Sequence, residues 1–349
     1  MAVPVKPAIN QFPENIELVE LHAHLGASVS PTMLWEIAHN QGLKLPTKNF
    51  WDFERTVTLY EAKPYEEYLL LHDLTEGIQS SPEALFAAAE SAVSGAYRKN
   101  NITMLELRFN PILRARGGER DLDHLIVYAL QGIERAMLKY PVRVGIILML
   151  DRRFTHHENA AIVKKAIRYR ERGVVGIDLA GPVKRTRASE SFRPADIADI
   201  VSEARSHGLG VTIHTGEVTP AVEIWETIRA LSPDRIGHGI RATDDPRLLE
   251  YLRDHHIVLE TCPTSNLNTG VLKDLTQMRS VYRILKKFGV PFTINTDGPE
   301  MQRITLREEF AKLLNNRILS VRDLVRSNDI ARQSSFLNGN NIPVKKYFL

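Results

Sequence analysis

Eight short runs of β-branched and apolar residues recur along this chain, at 17–21, 102–109, 143–150, 174–179, 211–214, 235–237, 258–260 and 292–295. Runs so short and so uniformly apolar suit strands covered by helices on both faces, which have no polar side to show. Longer amphipathic stretches separate them, at 82–97, 122–138, 158–170, 194–206, 221–231, 246–254, 275–288 and 305–314. Several open with Ser, Asp or Pro, which satisfy or tolerate the open N–H groups of a first helical turn. Strands joined by helical crossovers run parallel rather than folding back as hairpins. Eight such units predict an α/β fold, the (β/α)8 barrel. No repeat of solenoid or propeller period competes with this reading.

The stretch 31–80 is too long for a simple first crossover. It is expected to be a helical insertion after the first strand, placed over the open face where it can form a lid. Trp35, Trp51, Phe53, Tyr60, Tyr65 and Tyr68 concentrate there; they can pack the insertion's own core or line a site beneath it. No linker rich in Pro, Gly or Ser divides the chain, so residues 1–340 are expected to form one domain, with a polar tail at 341–349.

Composition narrows the partners. The hydrophobic share of 43% excludes a disordered or collagen-like chain. Lys and Arg total 45 against 42 Asp and Glu, a net charge of only +3, and no nucleic-acid partner is expected from so balanced a chain. The apolar runs fall far short of the ~20 residues a membrane span needs. No signal-peptide pattern opens the sequence, and the single Cys262 rules out an internal disulfide. A cytoplasmic protein with no membrane partner is the expectation.

Polar residues gather where the predicted strands end. The first strand runs into His22-Ala23-His24, and side chains two apart on an extended segment point the same way, so both rings can reach one ion. The fifth ends in His214-Thr215-Gly216-Glu217, the sixth in Gly237-His238-Gly239, and the eighth in Asn295-Thr296-Asp297-Gly298. In a closed barrel the first and eighth strands are neighbours, so these ends converge on the C-terminal mouth, where barrel active sites lie. Three imidazoles and a carboxylate around an open position for water make a zinc site. A lone His-x-His would carry little weight; four strand ends in barrel order carry far more. Gly208-Leu209-Gly210 is no dinucleotide fingerprint, Cys262 before Pro263 reads as a packed barrel residue, and His156-His157 and His255-His256 read as surface.

Six segments carry a resemblance: Glu20-Leu21-His22-Ala23-His24-Leu25, Gly176-Ile177-Asp178-Leu179-Ala180-Gly181, His214-Thr215-Gly216-Glu217, Arg235-Ile236-Gly237-His238-Gly239, Leu259-Glu260-Thr261-Cys262-Pro263-Thr264-Ser265-Asn266 and Thr296-Asp297. In this order, over about residues 17–310, the chain resembles the adenosine deaminase family of the metal-dependent amidohydrolases. The resemblance implies one zinc per chain, bound by His22, His24, His214 and Asp297. It implies Glu217 as proton donor to the purine ring, His238 orienting the activated water, Asp297 taking that water's proton, and Gly181 offering its backbone to a ring nitrogen. The implied reaction is hydrolytic deamination of an adenosine-like aminopurine nucleoside to the 6-oxo purine and ammonia. The bridging lysine of two-metal relatives has no counterpart at Asp178-Leu179-Ala180-Gly181, so a mononuclear site is expected.

Two departures from the family's pattern leave the substrate open. Gly26 stands where the family commonly has an acid or other polar residue that helps hold the sugar. Asp297-Gly298-Pro299-Glu300 stands where it commonly reads Asp-Asp-Pro, so the second acid's contact to the five-membered ring is missing, with Glu300 two residues away as a substitute or a surface group. Arg152-Arg153 and the cations Lys184, Arg185 and Arg187 read either as a phosphate site or as solvated loops. AMP, an N6-substituted AMP and free adenine therefore stand as alternative substrates, and a purine-binding barrel without catalysis stands as the alternative from another class.

Overall fold

The computed structural model describes residues 13, 15–117, 119–182 and 192–339; the cations Lys184, Arg185 and Arg187 and the expected tail at 341–349 lie outside the described residues. Eight strands pair in chain order into one sheet: β1 (Leu18–His24), β2 (Ile102–Phe109), β3 (Arg143–Asp151), β4 (Val174–Ala180), β5 (Gly210–Thr215), β6 (Arg235–His238), β7 (Val258–Thr261) and β8 (Phe292–Ile294). All seven ladders are parallel, and the helices between strands place the chain in the (β/α)8 class. Seven strands lie within one residue of their predicted bounds; β1 differs, continuing from Leu21 through both histidines to His24.

The seam between β8 and β1 closes differently from the others. β8 is three residues long, too short to run a full ladder. Main-chain pairing survives at the mouth, where His24 N–H donates to Asp297 O at 2.7 Å and Asp297 N–H to His22 O at 2.9 Å. Below it, side chains take over. Asn295 Oδ1 accepts from Leu21 N–H at 3.2 Å, and the Glu20 carboxylate accepts from His22 N–H and Thr296 N–H, both at 3.0 Å. Buried backbone donors must find acceptors, and here polar side chains supply what the missing strand residues do not.

The stretch 31–80 folds as predicted into helices: α1 (Pro31–Asn40), α2 (Phe50–Val57) and α3 (Tyr65–Ile78), before the first barrel helix α4 (Pro82–Asn100). Ser30, Asn49 and Ser81 accept first-turn N–H groups of α1, α2 and α4. Its aromatics divide by role. Trp35 packs against Phe53, with ring centroids 5.2 Å apart. Trp51 is 67% exposed, Tyr60 lies exposed beneath the Arg303 guanidinium, and Tyr65 and Tyr68 face the barrel mouth.

Two helices escape the sequence reading. Pro263–Asn268 shows no apolar periodicity; its first turn is held by Glu309, which accepts Thr264 N–H at 2.9 Å. Val321–Ser334 opens with a Ser320–Asp323 capping box and pairs with the foot of β1 through Asn328. No helix among the described residues is long and apolar enough to cross a membrane.

Candidate active site

His22 and His24 sit two apart on β1, His214 on β5, His238 at the end of β6, Glu217 just past β5, Asp297 just past β8 and Gly181 just past β4. The barrel brings all seven to one mouth. Ring centroids of His22 lie 5.5 Å from His24, 4.6 Å from His214 and 5.0 Å from His238. Asp297 Oδ1 lies 3.3 Å from His24 Nε2 and 3.6 Å from His22 Nε2. His24 and His214 bring their Nε2 atoms within 3.3 Å of each other. His238 and Asp297 both adopt positive φ, 60° and 67°, a strained backbone that the flanking barrel must hold in place.

Two of the imidazoles, His22 and His214, are braced from behind. His22 Nδ1 pairs with Glu260 Oε2 at 2.7 Å, and His214 Nδ1 with Asp178 Oδ2 at 2.8 Å. With a proton fixed on Nδ1, the Nε2 lone pair points inward. Arg108 then spans the two braces, donating to Asp178 Oδ2 and to Glu260 Oε2, each at 2.9 Å, and to Leu21 O at 2.6 Å. Arg235 reaches Glu260 Oε1 at 2.6 Å from below and also pairs with Glu106. All five of these charged side chains are buried. Burial acts to raise Asp178, but His214 and Arg108 outweigh it and hold the carboxyl below its usual range. For Glu260, Arg108 and Arg235 likewise outweigh burial and hold it low. The braces are therefore ionised, and His22 and His24 are pushed well below the ordinary imidazole range, chiefly by burial. Neutral rings with inward lone pairs are what a divalent ion requires.

The residues fit such an ion on a further observation. His22 Nε2 is buried with no hydrogen-bond partner, and ligand atoms of His22, His24 and His214 all lie within 4.8 Å of one another. A second grouping, His22, His238 and Cys262, meets the same distance test. Burial pushes the Cys262 thiol well above its ordinary value, which disfavours the thiolate a metal needs.

The pocket above spans about 860 Å³, part of it open solvent. Glu217 lies in it, 6% exposed, with Oε1 3.8 Å from His238 Nδ1. Burial pushes the Glu217 carboxyl up, so it favours the protonated state of a general acid. His238 Nδ1 lies 3.0 Å from Asn266 Oδ1, which orients the ring. At Gly181, φ is +89° and a Cβ would come within 2.6 Å of Asp151 Oδ1, so glycine alone suits this turn beside the pocket.

The substrate wall corrects several expectations. Gly26 leaves no gap: a Cβ there would meet Arg114 Nη2 and Glu76 Cγ, both at 3.0 Å, so Glu76 of α3 brings a carboxylate to that place. Gly298 has no room for a side chain, since a Cβ would lie 2.4 Å from Ala27 Cβ. Glu300 does not substitute; it pairs with Lys99 outside this pocket. Arg152 is committed to the carbonyls of Gly181 and His214, and Arg153 is held by Asp151 through two bonds, at 2.9 and 2.7 Å, while still lining the pocket. His156 pairs at the surface with Asp199, as its motif-free setting predicts.

Sequence reasoning missed the braces Asp178 and Glu260, the clamp Arg108, and the hydroxyls of Tyr68 and Ser265 that reach Asp297. A signal existed for the first three. Glu106 and Arg108 on β2, and Asp178 and Glu260 on apolar strands, are charges that only a paired interior tolerates.

Comparison with known proteins agrees. The family model described as adenosine deaminase matches residues 18–342. An adenosine deaminase of Enterococcus faecalis is 30% identical over 330 residues, covering 95% of this chain and 94% of its own. An aminodeoxyfutalosine deaminase of Acidothermus cellulolyticus is 33% identical over 304 residues, covering 85% and 82%. The crystal structure of an arabidopsis N6-mAMP deaminase shares the fold with a TM-score of 0.76 at 24% identity, over 93% of this chain and 94% of that one.

Proposed function

Because this chain belongs to the adenosine deaminase family, we propose that its mouth removes the exocyclic amine of an aminopurine by hydrolysis, releasing ammonia and leaving the 6-oxo ring. The observation that carries this reading is geometric: a buried carboxyl, Glu217, whose pKa burial raises, lies in the pocket next to His24, His214 and Asp297, while His22, His24 and His214 bring their ligand atoms within 4.8 Å of one another.

His22, His24, His214 and Asp297 would hold one zinc ion. Zinc, when bound, supplies a water acidic enough to act as nucleophile near neutral pH. Attack at the carbon bearing the amine pushes negative charge into the ring. Glu217, protonated, gives its proton to the adjacent ring nitrogen, a contribution of roughly 10²–10⁴-fold. Asp297 takes the proton that the attacking water loses. His238, oriented by Asn266, aligns the nucleophile and stabilises the charge that develops. Gly181, at the pocket edge, presents its backbone to the far side of the ring.

The group beyond the ring is a separate question. An acidic side chain at 298 is sterically barred, and the space at 26 is taken by Glu76 and Arg114, so the wall is not the one that the resemblance implies for adenosine. Structural neighbours named for N6-mAMP and for adenine support the N6-substituted AMP and free-adenine alternatives, beside relatives named for adenosine and aminodeoxyfutalosine. Arg152 and Arg153 both line the described pocket, Arg152 bonded to the Gly181 and His214 carbonyls and Arg153 to Asp151, so a phosphate there would have to share them with these partners.

The test is ammonia release by the zinc-loaded protein from adenosine, deoxyadenosine, adenine, AMP and N6-methyl-AMP. Turnover of any one establishes the reaction and ranks the substituents. Silence on all five with zinc bound moves the reading to an amidohydrolase of a substrate other than these or to a binding barrel.

A further inference from the structure

Asp297 divides its two oxygens. Oδ1 faces His24 Nε2 at 3.3 Å. Oδ2 accepts two hydroxyls, Ser265 Oγ at 2.6 Å and Tyr68 Oη at 3.2 Å. The two donors come from different parts of the molecule. Ser265 lies on the short helix after β7, within the barrel. Tyr68 lies on α3, in the insertion. A side chain of the lid thus bonds directly to a carboxylate of the metal centre.

The C-terminal end of α3 is fixed to the barrel, with Ile78 in the main core and Glu76 paired with Arg114, whereas its N-terminal half is held locally. Tyr68 packs with Ala27, Leu59 and Met301 in a small apolar cluster separate from the main core. The chain leading into α3 is stitched to barrel loops by Leu59 N–H to Met301 O at 2.8 Å and Lys63 N–H to Asn268 O at 2.7 Å. From that root, α3 extends Tyr65, Tyr68, Leu69 and His72 into the pocket. His22 and Asp297 are nearly inaccessible to solvent, at 0% and 2% exposure, and residues of α3 wall the open pocket next to Asp297. Lifting α3 breaks the Tyr68–Asp297 bond and leaves Oδ2 with Ser265 alone.

We propose that Tyr68 is a positioning residue that couples the seating of α3 to the orientation of Asp297, so that metal binding and lid seating favour one another. The coupling rests on the reading of the mouth as a metal site. Its physical basis is linkage: a bond made only when α3 is seated, and only to a carboxylate turned toward the ion, stabilises both conditions together, and the effect is reciprocal. A hydrogen bond to a charged group shifts such an equilibrium by roughly ten- to a hundredfold. If the phenol were mere packing, its ring would serve as well without the hydroxyl.

The experiment uses the full chain and no substrate. Hydrogen exchange of 65–78 is followed with and without saturating zinc in the wild type, Tyr68→Phe and Ser265→Ala, together with the rate of zinc loss to a chelator. Tyr68→Phe keeps the ring against Ala27, Leu59 and Met301, so the fold is retained. Zinc is expected to slow exchange of α3 about tenfold or more in the wild type and to have little effect on it in Tyr68→Phe, which also releases zinc about tenfold faster. Ser265→Ala is expected to hasten zinc loss yet leave the zinc protection of α3 in place. Zinc protection and zinc release at wild-type levels in Tyr68→Phe overturn the coupling alone. Equal loosening of α3 in both variants at saturating zinc overturns it too. A wild type that binds no zinc overturns the metal reading and the coupling with it.

Discussion

The two ends of the pocket are made of different material. At the metal end, the proposed ligands come from the last residues of a strand or the loop just after it, and His22 and His214 each lean on a carboxylate clamped by Arg108. At the lid end, the side chains come from one helix of an insertion, its N-terminal half held by a small apolar cluster and a few main-chain bonds. The first is over-determined, since moving one imidazole disturbs a buried charge network tied to four strands. The second touches the proposed chemistry through one bond, from Tyr68 to Asp297. Gly26 and Gly298, where the chain departs from the pattern that the resemblance implies, pack against Glu76 and Ala27 and are not among the proposed metal-facing residues. A fold that keeps its reaction and changes its substrate needs this division, because losing a polar partner at the wall alters preference more than reaction type.

The largest effect expected at the metal end is that of Glu217→Gln. kcat/KM should fall by roughly 10²–10⁴-fold while bound zinc stays unchanged; an active variant refutes the role. In the wild type, the raised pKa of Glu217 means that activity falls as pH climbs through it, because the ionised form has no proton to give. Arg108→Leu strands Asp178 and Glu260 without their shared cation, and a buried pair broken on one side costs about 3–5 kcal/mol, measurable by urea denaturation. A near-neutral result would show that the clamp is not what makes the metal end rigid.

Glu309 sharpens the comparison from behind the metal end. Burial pushes its carboxyl up to about 7 from 4.5, so the folded protein binds this proton more tightly than the unfolded chain. The group's contribution is fully present below pH 4.5 and is lost as pH rises through 7, by up to about 3 kcal/mol. Glu309→Gln should flatten that slope in denaturation curves taken across this range. At the substrate wall, Gly298→Ala drives a methyl to 2.4 Å from Ala27 Cβ and should cost about 1–3 kcal/mol by overpacking. A neutral outcome would mean that the wall yields where the metal end does not. Smallest is Trp51→Ala in the insertion: at 67% exposure it should stay within about 0.5 kcal/mol, and a larger loss would reveal a contact beyond this chain.

The barrel was legible because period and length are local properties. Short apolar runs and amphipathic helices write themselves into the sequence, and all eight strands fall where those runs fall. β1 was read three residues short because the apolar run stops at Leu21, whereas pairing carries the strand on through His22 and His24. Pro263–Asn268 was invisible for the opposite reason: its residues favour turns, and it is the distant Glu309 that holds its first turn.

The sequence by itself determined the strand-end residues and hence the groups proposed to react: His22, His24, His214, Glu217, His238 and Asp297 sit at fixed offsets from strands, and barrel topology alone makes strand ends meet. Only the tertiary structure decided what braces and encloses them. Arg108 meets Asp178 and Glu260, Tyr68 meets Asp297 across 229 residues of chain, and Glu76 fills the space over Gly26. Such contacts carry no periodic signature, because they depend on which side chains the closed barrel and its insertion bring within a few ångströms. Local pattern is set by backbone geometry over a handful of residues; partnership in a buried network is set by the packing of the whole.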